Sequence, residues 1–161
     1  MVGFGYDIHR LAEGESLILA GVTLSHHSGT VAHSDGDVIY HALCDAIFGA
    51  LGKGDIGEHF PDTDIRWKNA SSDRFVDYAV QLVAECGCII VNIDCTLIMD
   101  VPKIKPYKEI MKANIAKLCN LPVEKVNVKA TTNEGVGFIG RGEGVAAMCV
   151  CQIVNESPSK V

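Results

Sequence analysis

Apolar residues recur along this chain with two different periods. Val2 to His9 reads as a short strand, and Leu17 to Leu24 as a pair of extended runs broken by Gly21. From Asp35 to Leu51 the spacing changes: Val38, Ile39, Ala42, Leu43, Ala46, Ile47, Ala50 and Leu51 form a stripe at helical intervals. Ser34 and Asp37 fit a capping box at the start of this helix, and Gly52 and Gly54 end it. The stretch from Gly52 to Asn69, with glycines, Pro61 and four acids, predicts a long loop of the kind that is functional or mobile.

A second helix is predicted from about Ser72 to Cys86, started by serine caps and stopped by Gly87. Cys88 to Met99 is rich in Ile, Val and Thr and reads as a strand. Pro106 then suits the first turn of a third helix reaching about Leu118. Val126 to Thr132 is a strand, Asn133 to Gly144 a glycine-rich loop, and Val145 to Val154 the last strand. Strands alternating with three helices predict an α+β fold, a single mixed sheet covered by helices as an α/β sandwich. Residues 1–154 read as one domain, and the tail 155–161 is expected to be disordered.

Composition narrows the functional classes. Fourteen basic against 20 acidic residues, a formal charge of −6, argue against a nucleic-acid surface built on phosphate contacts. A phosphorylated small molecule stays compatible if metal ions, backbone N–H groups and a few lysines supply local positive field. The apolar runs, such as Gly144 to Cys151, are well short of a membrane span. No basic and apolar leader precedes the first strand-like run, so no signal peptide and no membrane partner are expected. The expected compartment is the cytoplasm, or an organellar stroma if a transit peptide has been removed. Seven cysteines without a Cys-x-x-Cys pair read as small core residues in a reducing compartment.

The chemistry concentrates in two places. Asp7 and His9 lie two apart on a predicted strand and so project from one face. His41, on the first helix, is the natural third donor, and an Asp/His/His set leaves tetrahedral zinc an open position. The segment His33 to Asp45 adds further acids. Asp37, His41 and Asp45 are spaced i, i+4, i+8, which fits a solvated face, or else Asp37 or Asp45 takes the second N–H of His41. At the other place, Lys129 to Glu134 closes a strand with two hydroxyls, an amide and an acid. Those groups suit phosphate oxygens, with Glu134 on a magnesium ion; the glycines that follow also fit an ordinary flexible loop. Neither a Walker lysine nor a Rossmann glycine motif is present.

These residues resemble the 2-C-methyl-D-erythritol 2,4-cyclodiphosphate synthase family of non-mevalonate isoprenoid biosynthesis. The resemblance is carried by Gly5-Tyr6-Asp7-Ile8-His9, by Ala32 to Asp37 with His41 and Asp45, and by Gly54 to Gly57 with Phe60 to Asp64. Pro102-Lys103, Asn127 to Thr132 and Gly140 to Gly144 complete it. It implies a phosphorus–oxygen lyase that releases CMP as a 2-phosphate attacks the β-phosphorus of a cytidine diphosphate ester. It implies zinc on Asp7, His9 and His41, and a second ion, Mg²⁺ or Mn²⁺, on Glu134.

By the same resemblance His33 and Thr132 are catalytic, and Ser34 faces the 2-phosphate. Asp55, Ile56 and Gly57 hold the erythritol hydroxyls, continued by Phe60, Pro61, Asp62, Thr63 and Asp64. Met99, Asp100, Val101, Pro102, Lys103, Ile104 and Lys105 form the cytosine pocket. Asp7, His9, Thr131, Asn133, Phe138 and Arg141 complete the substrate contacts. A homotrimer with sites at subunit boundaries is implied as well. Asn133 stands where the family commonly has Thr, and Gly135 where a basic residue is frequent.

Two rival readings use the same residues. A zinc phosphodiesterase would activate water, with His33 or Asp55 as base. A trimeric metal- or nucleotide-sensing module would bind without turnover.

Overall fold

The computed structural model describes residues 1–156, so the tail expected to be disordered lies, from residue 157 on, outside the described residues. In chain order the elements are β1 (Val2–Glu13), β2 (Leu17–Leu19), β3 (Val22–Leu24), β4 (Ser28–Val31), α1 (Val38–Leu51) and α2 (Ile56–His59). They continue with α3 (Asp73–Glu85), β5 (Cys88–Ile98), α4 (Lys108–Leu118), β6 (Val126–Thr131), α5 (Gly137–Gly140) and β7 (Gly144–Asn155). Five strands make one mixed sheet in the order β4-β1-β7-β5-β6; only β5 and β6 run parallel, joined through α4. The α+β reading holds. The single sheet does not, because β2 and β3 form a separate two-stranded ribbon.

Strand parity decides what each side of the sheet carries. In β1 the odd residues Gly3, Gly5, Asp7 and His9 face the helices, whereas Val2, Phe4, Tyr6 and Ile8 are exposed on the other side. In β7 the odd residues Val145, Ala147, Cys149, Cys151 and Ile153 are buried. An irregularity between Ile90 and Asn92 shifts the register of β5 on β7. That extra residue moves the buried set from Cys88 and Ile90 to Ile93, Cys95 and Leu97, a parity change that reads in sequence as broken alternation.

Helix α1 is buried on nearly all sides, with ten of its fourteen residues in the core between the sheet and α3. It lies against β1 because β1 has no side chains to hold it off. A Cβ on Gly5 would fall 1.9 Å from the carbonyl oxygen of Ala42, and one on Gly3 1.8 Å from that of Ala46. The helix starts at Val38 rather than Asp35. Asp37 caps it, accepting from the N–H groups of Ile39 and Tyr40, and the same carboxylate accepts from Ala20 and Gly21 in the β2–β3 turn. The capping box with Ser34 is therefore not formed. Asp37 is fully buried, and burial pushes its carboxyl up to about 6 against the pull of those N–H groups.

Other local expectations change for identifiable reasons. The 52–69 stretch is not an open loop: it contains α2 and a short 3₁₀ turn, Ile65–Trp67, and it inserts Phe60 and Trp67 beside Phe75. Ser72 offers no side-chain cap to α3; its backbone N–H is held by the distant Asp35 carboxylate instead. The 133–144 stretch contains α5, and the last strand runs one residue past Val154, pairing Asn155 with Cys88. Six of the seven cysteines are buried as expected, but Cys86 is exposed at the end of α3. Among the described residues no helix is long and apolar enough to cross a membrane.

Candidate active site and metal centre

Gly3 and Gly5 bring α1 so close to β1 that the next odd residues, Asp7 and His9, meet His41 on the helix. Asp7 Oδ2, His9 Nε2 and His41 Nδ1 form a triangle with every edge 3.1 Å. A tetrahedral zinc ion bound at about 2.0–2.1 Å sets its ligand atoms roughly 3.3 Å apart, so the donor set fits such an ion with a few tenths of an ångström of adjustment. Among the described residues this is the one cluster of three or more acidic, histidine or cysteine side chains arranged to hold a metal. Burial lowers the pKa of His9 and His41 adds to that, while Asp7 opposes it. The balance favours the neutral imidazole, the form that ligates.

The triangle opens into a cavity of about 450 Å³. His9 and His41 sit at one end, with His33 and Ser34 beside them; Ile56, Gly57, Phe60, Pro61 and Asp62 form a wall, and Ala32, Trp67 and Phe75 complete the lining. Phe60 and Phe75 pack with ring centroids 4.5 Å apart, and Trp67 meets Phe60 edge-on at 5.0 Å. The 33–35 loop is tied to the start of α3 by the backbone bonds Asn69 N–H to His33 O (2.8 Å) and Asp35 N–H to Ala70 O (3.0 Å). Across the cavity rim, His33 Nε2 lies 3.4 Å from the carbonyl oxygen of Asp64.

Neither carboxylate that the helix spacing suggested for the second nitrogen of His41 reaches it. Asp37 is spent on the four backbone N–H groups already described. Asp45 accepts from the N–H of Ile56 at 2.7 Å and so pins α2, one wall of the cavity, to α1. Burial raises the Asp45 pKa, the Ile56 N–H offsetting part of that and nearby Asp55 adding to it. The partners of His41 Nε2 are the hydroxyls of Ser34 (3.1 Å) and Ser72 (3.0 Å). Sequence reasoning missed Ser72 because it lies 31 positions from His41 and served there only as a helix start.

The other expected site residues gather elsewhere. Met99, Pro102, Lys103, Ile104, Lys105, Thr131 and Thr132 line a second cavity of about 560 Å³, with Lys108 and Glu109 at its edge. The Val101–Pro102 peptide in its wall is cis. Asp100 turns its carboxylate to the N–H groups of Asn133 (2.9 Å) and Gly135 (3.2 Å) and holds the turn that carries Glu134, whose backbone adopts a positive φ. Glu134 is exposed. The two cavities share no residue.

Five more expected residues are not among those lining either cavity. Asp55 caps α2 through the Glu58 N–H. Arg141 forms an exposed ion pair with Glu143, and Phe138 is exposed near Gly144. Thr63 lies exposed in the turn after Asp62, and Asp64 pairs with Arg66.

Fold and site together define a class: a small α+β domain in which a strand and a helix present an Asp/His/His donor set, able to hold a metal ion, beside a cavity. The sequence model of the YgbB family matches residues 1–154, and the chain belongs to that family. It is 49% identical over 152 residues to the 2-C-methyl-D-erythritol 2,4-cyclodiphosphate synthase of Alkaliphilus metalliredigens, covering 94% of this chain and 96% of the relative. It is 51% identical over 158 residues to the bifunctional enzyme IspD/IspF of Caulobacter vibrioides, covering 98% of this chain but 41% of that protein. The chain thus spans about two fifths of the length of such bifunctional relatives. A solved 2C-methyl-D-erythritol-2,4-cyclodiphosphate synthase in its CDP-bound form superposes with a TM-score of 0.89 at 36% identity, over 96% of this chain and all of the other.

Proposed function

We propose that this chain is a 2-C-methyl-D-erythritol 2,4-cyclodiphosphate synthase. The reaction converts 4-diphosphocytidyl-2-C-methyl-D-erythritol 2-phosphate to the 2,4-cyclodiphosphate and CMP, a phosphorus–oxygen lyase activity of isoprenoid biosynthesis. The observation that carries the reading is the 3.1 Å triangle of Asp7, His9 and His41 opening beside His33 and Ser34. Attacking and leaving groups in this transfer are both anionic, so catalysis consists of neutralising charge and holding the substrate folded for in-line attack.

Asp7, His9 and His41 would hold zinc, which when bound supplies a Lewis acid for a diphosphate oxygen. His33 and Ser34 bind the attacking 2-phosphate at the same end of the cavity. Ile56 and Gly57, fixed by Asp45, carry the wall along which the erythritol chain lies, with Asp55 as acceptor for its hydroxyls. Phe60 and Phe75 exclude water. At the second cavity, backbone groups of 99–105 read the cytosine edge, and the Thr132 hydroxyl positions the diphosphate. Glu134 would supply one carboxylate to a second divalent ion, Mg²⁺ or Mn²⁺, which when bound would offset the charge of the diphosphate.

One chain carries the two halves of this site in separate cavities, which supports an assembly in which each half is completed by a neighbouring copy. The exposed side of the sheet supports the same reading: Val2, Phe4, Tyr6 and Ile8 of β1 stand beside Met148 and Val150 of β7, an apolar surface of the kind that subunits cover. We assign a homotrimer on this basis and on the family resemblance.

The test is product identity. With zinc, magnesium and the cytidine diphosphate substrate, phosphorus NMR is expected to show free CMP and a cyclic diphosphate. A linear phosphomonoester product would replace this reading with that of a hydrolase, and binding without turnover would replace it with that of a sensor.

A further inference from the structure

We propose that Asp35 and Ser72 are positioning residues for His41, acting through a carboxylate–hydroxyl–imidazole chain that fixes the ring tautomer and aims Nδ1 at the metal point. The proposal rests on reading Asp7, His9 and His41 as a metal centre.

Ser72 is fully buried. Its hydroxyl donates to Asp35 Oδ1 at 2.5 Å and lies 3.0 Å from His41 Nε2. A hydroxyl has one hydrogen. With that hydrogen committed to the carboxylate, the Ser72 oxygen meets His41 only as an acceptor, so Nε2 carries the proton. Nδ1 then presents its lone pair to the point it shares with Asp7 Oδ2 and His9 Nε2, each 3.1 Å away. Asp35 is itself fixed: its other oxygen accepts the Ser72 N–H at 3.0 Å, and Oδ1 also accepts the Asp37 N–H at 3.2 Å.

Metal-bound histidines commonly give their second N–H directly to a carboxylate or carbonyl, and loss of such partners weakens metal binding about 10- to 100-fold. Here a serine is inserted, and it also joins the loop of His33 and Ser34 to the first turn of α3. The nearby Ser34 hydroxyl accepts from the Gly36 N–H at 3.3 Å and lies 3.1 Å from His41 Nε2. It can share the Nε2 proton while turning its own hydrogen toward a ligand in the cavity.

Two measurements on the full chain test this. Long-range proton–nitrogen NMR of the metal-free protein, labelled at histidine and held above neutral pH, is expected to show His41 protonated at Nε2; a ring protonated at Nδ1 overturns the proposal without any variant. Zinc affinity, from competition with a chromophoric chelator, is expected to fall about 10- to 100-fold in Ser72→Ala. The same variant is expected to give a mixture of His41 tautomers in the NMR spectrum. Ser72→Thr, which keeps the hydroxyl, is expected to recover the single tautomer. Wild-type affinity and a single Nε2–H tautomer in folded Ser72→Ala overturn the assignment. If Ser72→Ala does not fold, Asp35→Asn takes its place under the same criteria. Failure of the wild type to bind zinc would instead remove the metal reading, while the tautomer measurement still decides the hydrogen-bond chain.

Discussion

Replacing Gly5 by alanine places one methyl group where the structure has no room for it. The new Cβ would lie 1.9 Å from the carbonyl oxygen of Ala42 and 2.7 Å from the backbone nitrogen of Ala46, whereas real Cβ contacts essentially never fall below 3.0 Å. Neither obstacle is a side chain that can swing away, so α1 and β1 must separate by more than 1 Å. His41 adjoins Ala42, and Asp7 is two residues from Gly5, so the separation opens the donor triangle directly. Metal–ligand distances tolerate about 0.2 Å, and a 1 Å misplacement at a catalytic centre lowers rates about 100-fold. Overpacking of this kind destabilises by about 1–3 kcal/mol.

The expected outcome is therefore a lower urea midpoint together with a zinc affinity and turnover reduced by about two orders of magnitude. Gly49, on the same helix, is the control. A Cβ there meets only the Phe4 carbonyl oxygen, at 3.9 Å, so Gly49→Ala relieves helical glycine and is expected to stabilise by about 0.5–1 kcal/mol with zinc binding unchanged. Measuring both variants by equilibrium denaturation and chelator competition separates the two effects. Wild-type stability and zinc affinity in Gly5→Ala would refute the account of how the strand and helix build the centre.

Three further outcomes are expected. His41→Ala removes one corner of the triangle and is expected to abolish turnover and most zinc binding while leaving the circular dichroism spectrum of the folded protein. The Asp37 carboxyl sits at about 6 in the fold against 3.8 unfolded, so between these values the folded state holds a proton that the unfolded state has released; stability falls as pH rises through that window. Relative to Asp37→Asn, the metal-free wild type is expected to lose about 2 kcal/mol between pH 4 and pH 7, read from urea midpoints, and a flat difference would contradict it. Asp45→Ala frees the Ile56 N–H, so faster amide exchange across α2 and a raised KM are expected with zinc affinity unchanged.

What could be read from the residues alone divides by range. Asp7 and His9 were legible as neighbours because strand parity is local, and His41 because its helix carries a strong periodic stripe. The reach from β1 to α1 was not, since it depends on Gly3 and Gly5 lying opposite Ala42 and Ala46, and a glycine in a strand carries no mark of what lies above it. The partners of His41 were misread for a similar reason: helix spacing placed Asp37 and Asp45 nearby, but backbone N–H groups from other segments claim both carboxylates. Ser72 and Asp35 meet only after α3 folds back onto the 33–35 loop. Aromatic residues hid α2, because Phe60 and Trp67 give a short, turn-rich segment the anchors that its polar composition conceals.

The strand order β4-β1-β7-β5-β6 sets a timetable for the making of the molecule. β7 is the central strand of the sheet and the last one in the sequence, so during synthesis β1 and β5 each wait with an unpaired edge for a partner more than 40 residues after β5 has left the ribosome. Until it arrives, β1 has only the short ladder to β4 to hold it, and the floor on which α1 rests is missing. The nascent chain can therefore display Asp7, His9 and His41 without holding them together, and the donor triangle closes only when the central strand has docked.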